Sequence, residues 1–324
     1  MADVIMLRET GGPEVLRLES VNLPAPGPAE IRMRQAAVGV NFHDTYVRTG
    51  MYKTLALPGI PGVEAVGVVE LVGAEVRDIK AGDRVGYVTN RYGGYADARN
   101  IAADRVIRLP AGLNDRDAAA VLTKGLTVWM LINKVRLLRR GEMCLVHAAA
   151  GGVGRLLCQW ASHVGAEVIG TVGSREKAEI ARRNGCKHVI QYREEKFPAR
   201  IREITGGRGV DVVYDSVGRD TFLGSLESLA MRGHLVNFGQ SSGHVEPISV
   251  SRLVEKSNTL SRPILFHYIE SPAERQEMAD ELFAALRGGV LRVEIGAEFP
   301  LREAAAAHRA LESRTVSGSI ILVP

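Results

Sequence analysis

The clearest chemistry in this sequence lies in one run in mid-chain, Cys144-Leu145-Val146-His147-Ala148-Ala149-Ala150-Gly151-Gly152-Val153-Gly154. A short apolar stretch enters a cluster of very small residues, and an amphipathic stretch leaves it. That is the pattern of a strand, a tight turn and a helix start. A turn stripped of side chains lets backbone N–H groups and the positive end of the helix meet a pyrophosphate. Ala149, Gly151 and Gly154 fill the three small positions of a G-x-G-x-x-G-type fingerprint, and Gly152 and Val153 lie between them. The run therefore reads as a dinucleotide-binding turn.

Such a turn is followed, about twenty residues on, by the residue that meets the adenosine ribose. An acidic side chain there accepts from the ribose hydroxyls of NAD. This chain has Thr171-Val172-Gly173-Ser174-Arg175-Glu176-Lys177 instead. Gly173 and Ser174 leave room, Ser174 supplies a donor, and Arg175 and Lys177 supply positive charge, an arrangement that suits a 2′-phosphate and favours NADPH over NADH. Arg175 and Lys177 also read as exposed residues of a helix start, although cations there oppose the helix dipole. Glu176 is expected to face solvent. Tyr192 is placed to stack on an adenine, to donate to the phosphate, or simply to sit half-buried at the surface. Small residues after two later strands, Asp215-Ser216-Val217-Gly218 and Phe238-Gly239-Gln240-Ser241, let backbone approach the nicotinamide half, or form ordinary strand-helix turns.

Strands and helices must alternate to carry these turns. Strand-like runs fall at residues 144–148, 167–172, 188–191, 210–215, 234–238 and 259–265, with helix-like runs at 152–164, 175–184, 197–205 and 219–230. The alternation predicts an α/β fold, a doubly wound parallel sheet of six strands. The first third differs. Residues 15–21 and part of 30–40 alternate apolar and polar, residues 61–72, 83–87 and 95–102 continue in short strands, and Gly and Pro separate them. This predicts a distorted β-barrel. Asn114 is expected to cap a helix beginning at Asp115. Past Ser271 come a helix to Arg287, a helix at 302–313 and a strand at 319–323, a tail expected to return to the first domain.

The chain has 324 residues, enough for two domains. Its net charge of +4 is scattered, and aromatics make up only 5%, so a nucleic-acid footprint is not expected. Cys144, Cys158 and Cys186 are far apart in sequence and read as reduced thiols. No run approaches the length of a membrane span, and no leader is read at the N-terminus. A cytoplasmic location is the expectation.

Taken together these residues resemble the medium-chain dehydrogenase/reductase superfamily, in its quinone oxidoreductase (ζ-crystallin-like) branch. The resemblance runs over essentially the whole chain. It is carried by Gly11-Gly12-Pro13-Glu14-Val15-Leu16, Val40-Asn41-Phe42-His43-Asp44-Thr45-Tyr46, Ala81-Gly82-Asp83-Arg84-Val85, Lys124-Gly125-Leu126-Thr127, His147 to Gly154 and Tyr214-Asp215-Ser216-Val217-Gly218. It implies a GroES-like catalytic domain over residues 1–124, completed by 271–324, and an NADPH-binding Rossmann domain over 125–270. It implies NADPH in the cleft, and a homodimer joined through the Rossmann sheets, with Arg262-Pro263-Ile264-Leu265-Phe266-His267-Tyr268 as the pairing edge. It also places Asn41, Tyr46 and Tyr52 in the cleft. Lys124, at the expected domain junction, would contact the nicotinamide ribose or a developing oxyanion, and Thr127 would help hold the cofactor.

Many relatives hold a catalytic zinc, which needs three protein ligands. Here Asn41 and its neighbours replace the first cysteine, Val63 replaces the histidine of a Gly-His-Glu motif, and no cysteine lies near Lys124 or in residues 85–95. No metal is expected. Without a Lewis acid, acceptors that take hydride readily are favoured, and a small quinone fits best. Asn41 would donate from its amide, Tyr46 and Tyr52 would stack on the quinone, and Asp44 would orient Asn41 or a backbone turn. No residue stands out as an obligatory general acid. A reductase of enones or enals is the near alternative, and a structural or RNA-binding protein that holds the cofactor is the distant one.

Overall fold

The computed structural model describes residues 1–313 and 315–324. It divides into two compact units, one of residues 1–126, 266–284 and 293–324, the other of 127–265 and 285–292. The short segment 285–292 thus counts with the second unit, whereas the sequence reading gives it to the first domain.

The first unit is mostly antiparallel. Strands β1 (Ala2–Leu7) and β2 (Leu16–Val21) pair with each other. The long β3 (Glu30–Val40) leads into α1 (Phe42–Arg48), followed by β4 (Glu64–Val72), β5 (Arg84–Val88), β6 (Ala98–Ala102) and β7 (Val106–Arg108). Helix α2 (Asp115–Trp129) continues into a wider π-helical turn to Val135. Strand β3 is the hub, because it pairs with β4, with β6 and, across the whole sequence, with β15 (Ser319–Val323). Alternating residues of these strands, among them Ile31, Met33, Val38, Val40, Val85, Tyr87, Ile320 and Leu322, fill one core.

The second unit is a parallel sheet. It runs from β8 (Met143–Val146) through α3 (Gly152–Val164), β9 (Glu167–Val172), α4 (Arg175–Arg183), β10 (His188–Gln191), α5 (Phe197–Ile204), β11 (Val210–Asp215), α6 (Phe222–Glu227) and β12 (Leu229–Asn237) to β13 (Thr259–Ser261). The spatial order β10-β9-β8-β11-β12-β13 reverses direction at β8, the doubly wound arrangement. Leu145, Ile169, Ile190, Val213 and Leu235 bury the sheet under Ile201 and Phe222. Back in the first unit, α7 (Pro272–Arg287) is followed by β14 (Ile295–Pro300), α8 (Ala304–Ser313) and β15.

Some expectations change. The helix expected over 219–230 is only α6, because residues 218–221 are spent on a turn tied to Asp215 and Leu229 already pairs in the sheet. The strand expected over 259–265 stops at Ser261, two residues before Pro263, which has no N–H to give a ladder. The stretch from Arg262 to Tyr268 is therefore not an edge strand. Residues 115–135 are long and apolar enough to cross a membrane by length and composition, contrary to the sequence reading, but 72% of the apolar window is buried within the protein, as in a core helix. Helix α1 and strand β14 were not foreseen.

Helix α2 begins as expected. The Asn114 side-chain oxygen accepts from the Asp117 N–H at 2.8 Å, supplying one of the four donors a helix start leaves over. Asn114→Ala should cost about 1 kcal/mol in urea unfolding, and Asn114→Ser only a fraction of it. Equal losses for the two variants would count against the cap.

Candidate active site and cofactor cradle

In the second unit the cradle is built by backbone. Strand β8 ends at Val146, and Ala148 turns the chain with a positive φ of 52°. Gly151 caps α3, so the first N–H groups of that helix, from Gly152 and Val153, point out of the turn with no helical acceptor. Glycine is required at 154, where an added Cβ would lie 2.2 Å from the Ala148 carbonyl oxygen. Ala149 is fully buried and its N–H donates to Thr171 at the end of β9 at 3.1 Å. The end of β9 thus lies against the turn.

Beyond it, a Cβ on Gly173 would stand 2.7 Å from the Tyr192 hydroxyl, so the glycine makes room for that ring. Ser174 caps α4, its hydroxyl oxygen accepting from the Lys177 N–H at 3.3 Å. The hydroxyl proton is left to donate elsewhere. Arg175 and Glu176 are exposed, Lys177 is half-buried, and Tyr192 is 45% exposed. Across the sheet, Ser216 and the Phe238–Ser241 loop meet: the Ser241 N–H donates to the Ser216 carbonyl at 3.2 Å, and those of Phe238 and Gly239 donate to Asp215. Gln240 is buried, while Ser216, Phe238, Gly239 and Ser241 are half-buried. Thr127 is half-buried on α2.

The sequence reading missed what lies under this cradle. Asp215 is wholly buried and accepts from the N–H groups of Val217 and Gly218, from the Thr221 hydroxyl and from the Ser225 hydroxyl. His147 bridges Ser225 and Thr171, each at 2.9 Å. Because the Ser225 hydroxyl donates to Asp215, His147 Nε2–H donates to Ser225 and Nδ1 accepts from Thr171. An ordered chain, Thr171 to His147 to Ser225 to Asp215, therefore ties together the ends of β9, β8 and β11. A histidine directly before the small residues was the available sign.

The first unit holds a buried polar cluster. Asn41, at the end of β3, is expected to present its amide to substrate, but that amide donates to Glu64 Oε1 at 2.7 Å. Glu64 Oε2 accepts from the Thr123 N–H at 2.8 Å, and Lys124 Nζ stands 3.9 Å from Glu64 Oε1. Glu64 has no solvent exposure and Lys124 only 7%. Lys124 Nζ makes no hydrogen bond. Burial pushes the Lys124 pKa down, against the opposing pull of Glu64 and Asp44. Glu64 was not among the expected site residues, although Gly62-Val63-Glu64 keeps the carboxylate of the motif from which the histidine is gone.

Asp44 accepts the Asn41 N–H at 2.9 Å and the Tyr95 hydroxyl at 3.1 Å, both on Oδ2, and Oδ1 has no partner. Beyond Tyr95 lies His308 Nε2 at 2.8 Å, and the Arg48 guanidinium faces His308 Nδ1 at 3.2 Å. Arginine only donates, so Nδ1 accepts, Nε2–H donates to the Tyr95 oxygen, and the Tyr95 proton points at Asp44. Arg48 is clamped by both oxygens of Glu312. Burial holds His308 down at about 3 and raises Asp44 to about 7. With Oδ2 already accepting twice, the neutral Asp44 carries its proton on Oδ1.

Tyr46 and Tyr52 are half-buried and meet edge to face at 5.1 Å. His43 packs on Tyr52, Tyr92 and Phe266, and its Nε2 lies 3.2 Å from the Tyr92 hydroxyl. Burial lowers its pKa to about 4, so the ring is neutral at physiological pH. Tyr92 holds a positive φ of 53° in this aromatic cluster. Among the described residues no three His, Cys, Asp or Glu side chains gather as a metal site. The donor set does not fit a catalytic zinc.

Asp44 makes stability depend on pH. Its folded pKa of about 7 exceeds the ordinary 3.8. Between these values the folded chain keeps a proton that the unfolded chain releases, so stability falls as pH rises through the window. His308, held low, works the other way below its ordinary value of 6.5. Asp44→Asn removes the first contribution alone. The unfolding free energy of Asp44→Asn minus that of the native chain should therefore rise by up to about 1.4 kcal/mol per pH unit from pH 4.5 to 6.5. A flat difference in urea unfolding across that range would contradict the assignment.

Comparison with known proteins identifies the relatives. Residues 27–111 match a family model described as an alcohol dehydrogenase GroES-like domain, and residues 152–284 one described as a zinc-binding dehydrogenase. The chain is 45% identical to a quinone oxidoreductase of Pseudomonas aeruginosa, over all of both sequences. It is 42% identical to a 2-haloacrylate reductase of a Burkholderia species, covering all of this chain and 99% of that one. The solved structure of Escherichia coli quinone oxidoreductase complexed with NADPH superposes with a TM-score of 0.97, at 45% identity and full coverage of both chains. A GroES-like unit followed by a doubly wound sheet, with likeness of this extent along the whole length, places the chain in the quinone oxidoreductase branch of the medium-chain dehydrogenase/reductase superfamily.

Proposed function

We propose that this protein reduces a small quinone with NADPH, by direct hydride transfer and without a metal. The observation that carries the reading is the pairing of the α3 cradle with the cationic end of β9, in a chain similar over its whole length to quinone oxidoreductases. NADPH, when bound, supplies the hydride. The N–H groups of Gly152 and Val153 hold the pyrophosphate, while Gly151, its own N–H bonded to the Ala148 carbonyl, shapes the turn. The Ser174 hydroxyl, Arg175 and Lys177 take the 2′-phosphate, with the Tyr192 ring beside it. Thr127, Ser216 and the loop from Phe238 to Ser241 serve the remaining parts of the cofactor. In the first unit Tyr46 and Tyr52 offer flat apolar faces for a quinone ring and Lys124 offers a donor, while Asn41, its amide on Glu64, helps to hold that carboxylate beside Lys124.

The likeness to a 2-haloacrylate reductase favours a second reading, reduction of an activated carbon–carbon double bond. A structural or RNA-binding role finds no comparable support. A cytoplasmic location suits three cysteines that are buried and unpaired, two of them, Cys158 and Cys186, with sulfurs 3.3 Å apart and still not bonded. We also propose a homodimer, formed at the open side of β13. Leu260 on that strand and Ile264 just after it are each 39% exposed, apolar surface at a sheet edge that calls for cover.

A panel of quinones, enones and haloacrylates with NADPH separates the readings, and turnover of the alkenes alone would defeat the first. For the cofactor, Lys177→Ala should weaken NADPH binding roughly tenfold to a hundredfold, the worth of one charge-assisted contact, and leave NADH nearly unchanged. Equal weakening of both, read by nicotinamide fluorescence, would remove Lys177 from the phosphate site.

A further inference from the structure

We propose that Lys124 gives the acceptor oxygen its proton as the hydride arrives, and that Glu64 holds the ammonium in place for this. The inference rests on the quinone-reductase reading and supplies the proton that reading lacks.

The argument starts from a donor without an acceptor. An ammonium has three N–H groups, and burying them unpaired is costly. Lys124 is 7% exposed, and its Nζ makes no hydrogen bond. Its counter-charge is near but already engaged. Glu64 Oε1 takes the Asn41 amide at 2.7 Å and Oε2 takes the Thr123 N–H at 2.8 Å, which leaves Nζ at 3.9 Å, within ion-pair range and beyond hydrogen-bond reach. Glu64 therefore stabilises the charge without consuming the donors. Burial loosens the proton on Lys124, while Glu64 and Asp44 pull the other way.

The neighbouring groups are less suited. The Asn41 amide has no acidic proton to give. The Tyr95 hydroxyl is fixed between His308 and Asp44, and burial and Asp44 push its pKa well above the ordinary value. His43 is neutral near pH 7. Hydride addition leaves an anionic oxygen on the acceptor. As that charge grows, an N–H bond of Lys124 breaks and an O–H bond forms. Both electrons of the reduction come with the hydride, the N–H pair stays on the amine, and Lys124 regains its proton from water before the next turnover.

The test uses the full chain with NADPH and a series of benzoquinones graded by the acidity of their hydroquinones. Lys124→Met should lower kcat about 100-fold or more for methylated quinones, whose hydroquinones are weak acids, and far less for halogenated ones, whose anions need little help. NADPH binding by fluorescence, which also reports that the variant is folded, should stay within about threefold, under 1 kcal/mol. Lys124→Ala should recover activity in proportion to added methylamine. Equal losses across the series together with a matching loss of NADPH affinity would make Lys124 a cofactor-holding residue and overturn the proposal, as would failure of amine rescue. A native enzyme that reduces no quinone overturns both readings, whereas a native enzyme that does so beside an equally fast Lys124→Met overturns this one alone.

Discussion

A carboxylate with no access to water must be met by donors, and the interior of the first unit is arranged around meeting one at Glu64. The donors come from different places in the chain. Asn41 stands where β3 passes into α1, Thr123 and Lys124 sit on α2, and Glu64 itself opens β4. One buried charge thus fixes three elements relative to one another. It also explains why an ammonium can be buried here at all, since removing Glu64 would leave Lys124 facing only Asp44. Two carboxylates beside one ammonium cannot all be comfortable. Desolvation is the largest influence on Asp44, the Glu64 charge adds to it, and the outcome is a carboxyl group that stays neutral well above its usual range.

The second unit solves its problem by other means. The turn after β8 is formed by backbone, and the carboxylate beneath it is fully met by neutral donors. The Asp215 carboxylate is buried like Glu64 but accepts from two backbone N–H groups and two hydroxyls, and so needs no cation. His147 extends that set to Thr171, which in turn accepts from Ala149 of the glycine turn. The ends of three strands are held by one directional chain of hydrogen bonds. A rigid rim of this kind keeps the helix N-terminus and the β9 end at a constant separation, as recognition of a nucleotide with two phosphate-bearing ends demands.

Most of the parallel sheet was legible before any coordinates, because its signals are local. Residues 167–172, 188–191 and 210–215 are apolar runs of strand length bounded by turn residues, and 152–164 shows a clean helical stripe closed by Gly165. The structure keeps all four spans unchanged. The misses share a cause. Helix α1 is short, and Phe42 to Arg48 places its buried positions, Asp44, Thr45, Val47 and Arg48, on polar as well as apolar residues, so no stripe is visible. Strand β14 alternates exposed and half-buried positions and owes its strand form to pairing with β15. Helix α6 was read too long because nothing in its sequence announces that Leu229 will join β11.

Residue types along the chain determined which chemistries were available: a glycine turn for phosphate, cations where an acidic ribose ligand would otherwise stand, and too few ligands for zinc. Those are properties of local spacing, and spacing survives in a linear string. The tertiary structure alone decided which polar groups face one another. Asn41, Glu64 and Lys124 are remote in sequence, as are Arg48, Tyr95 and His308, and a charge acquires its acidity from neighbours and burial that no local pattern encodes. The amide expected to face a substrate turned inward for that reason, because a buried carboxylate nearby had the stronger claim on it.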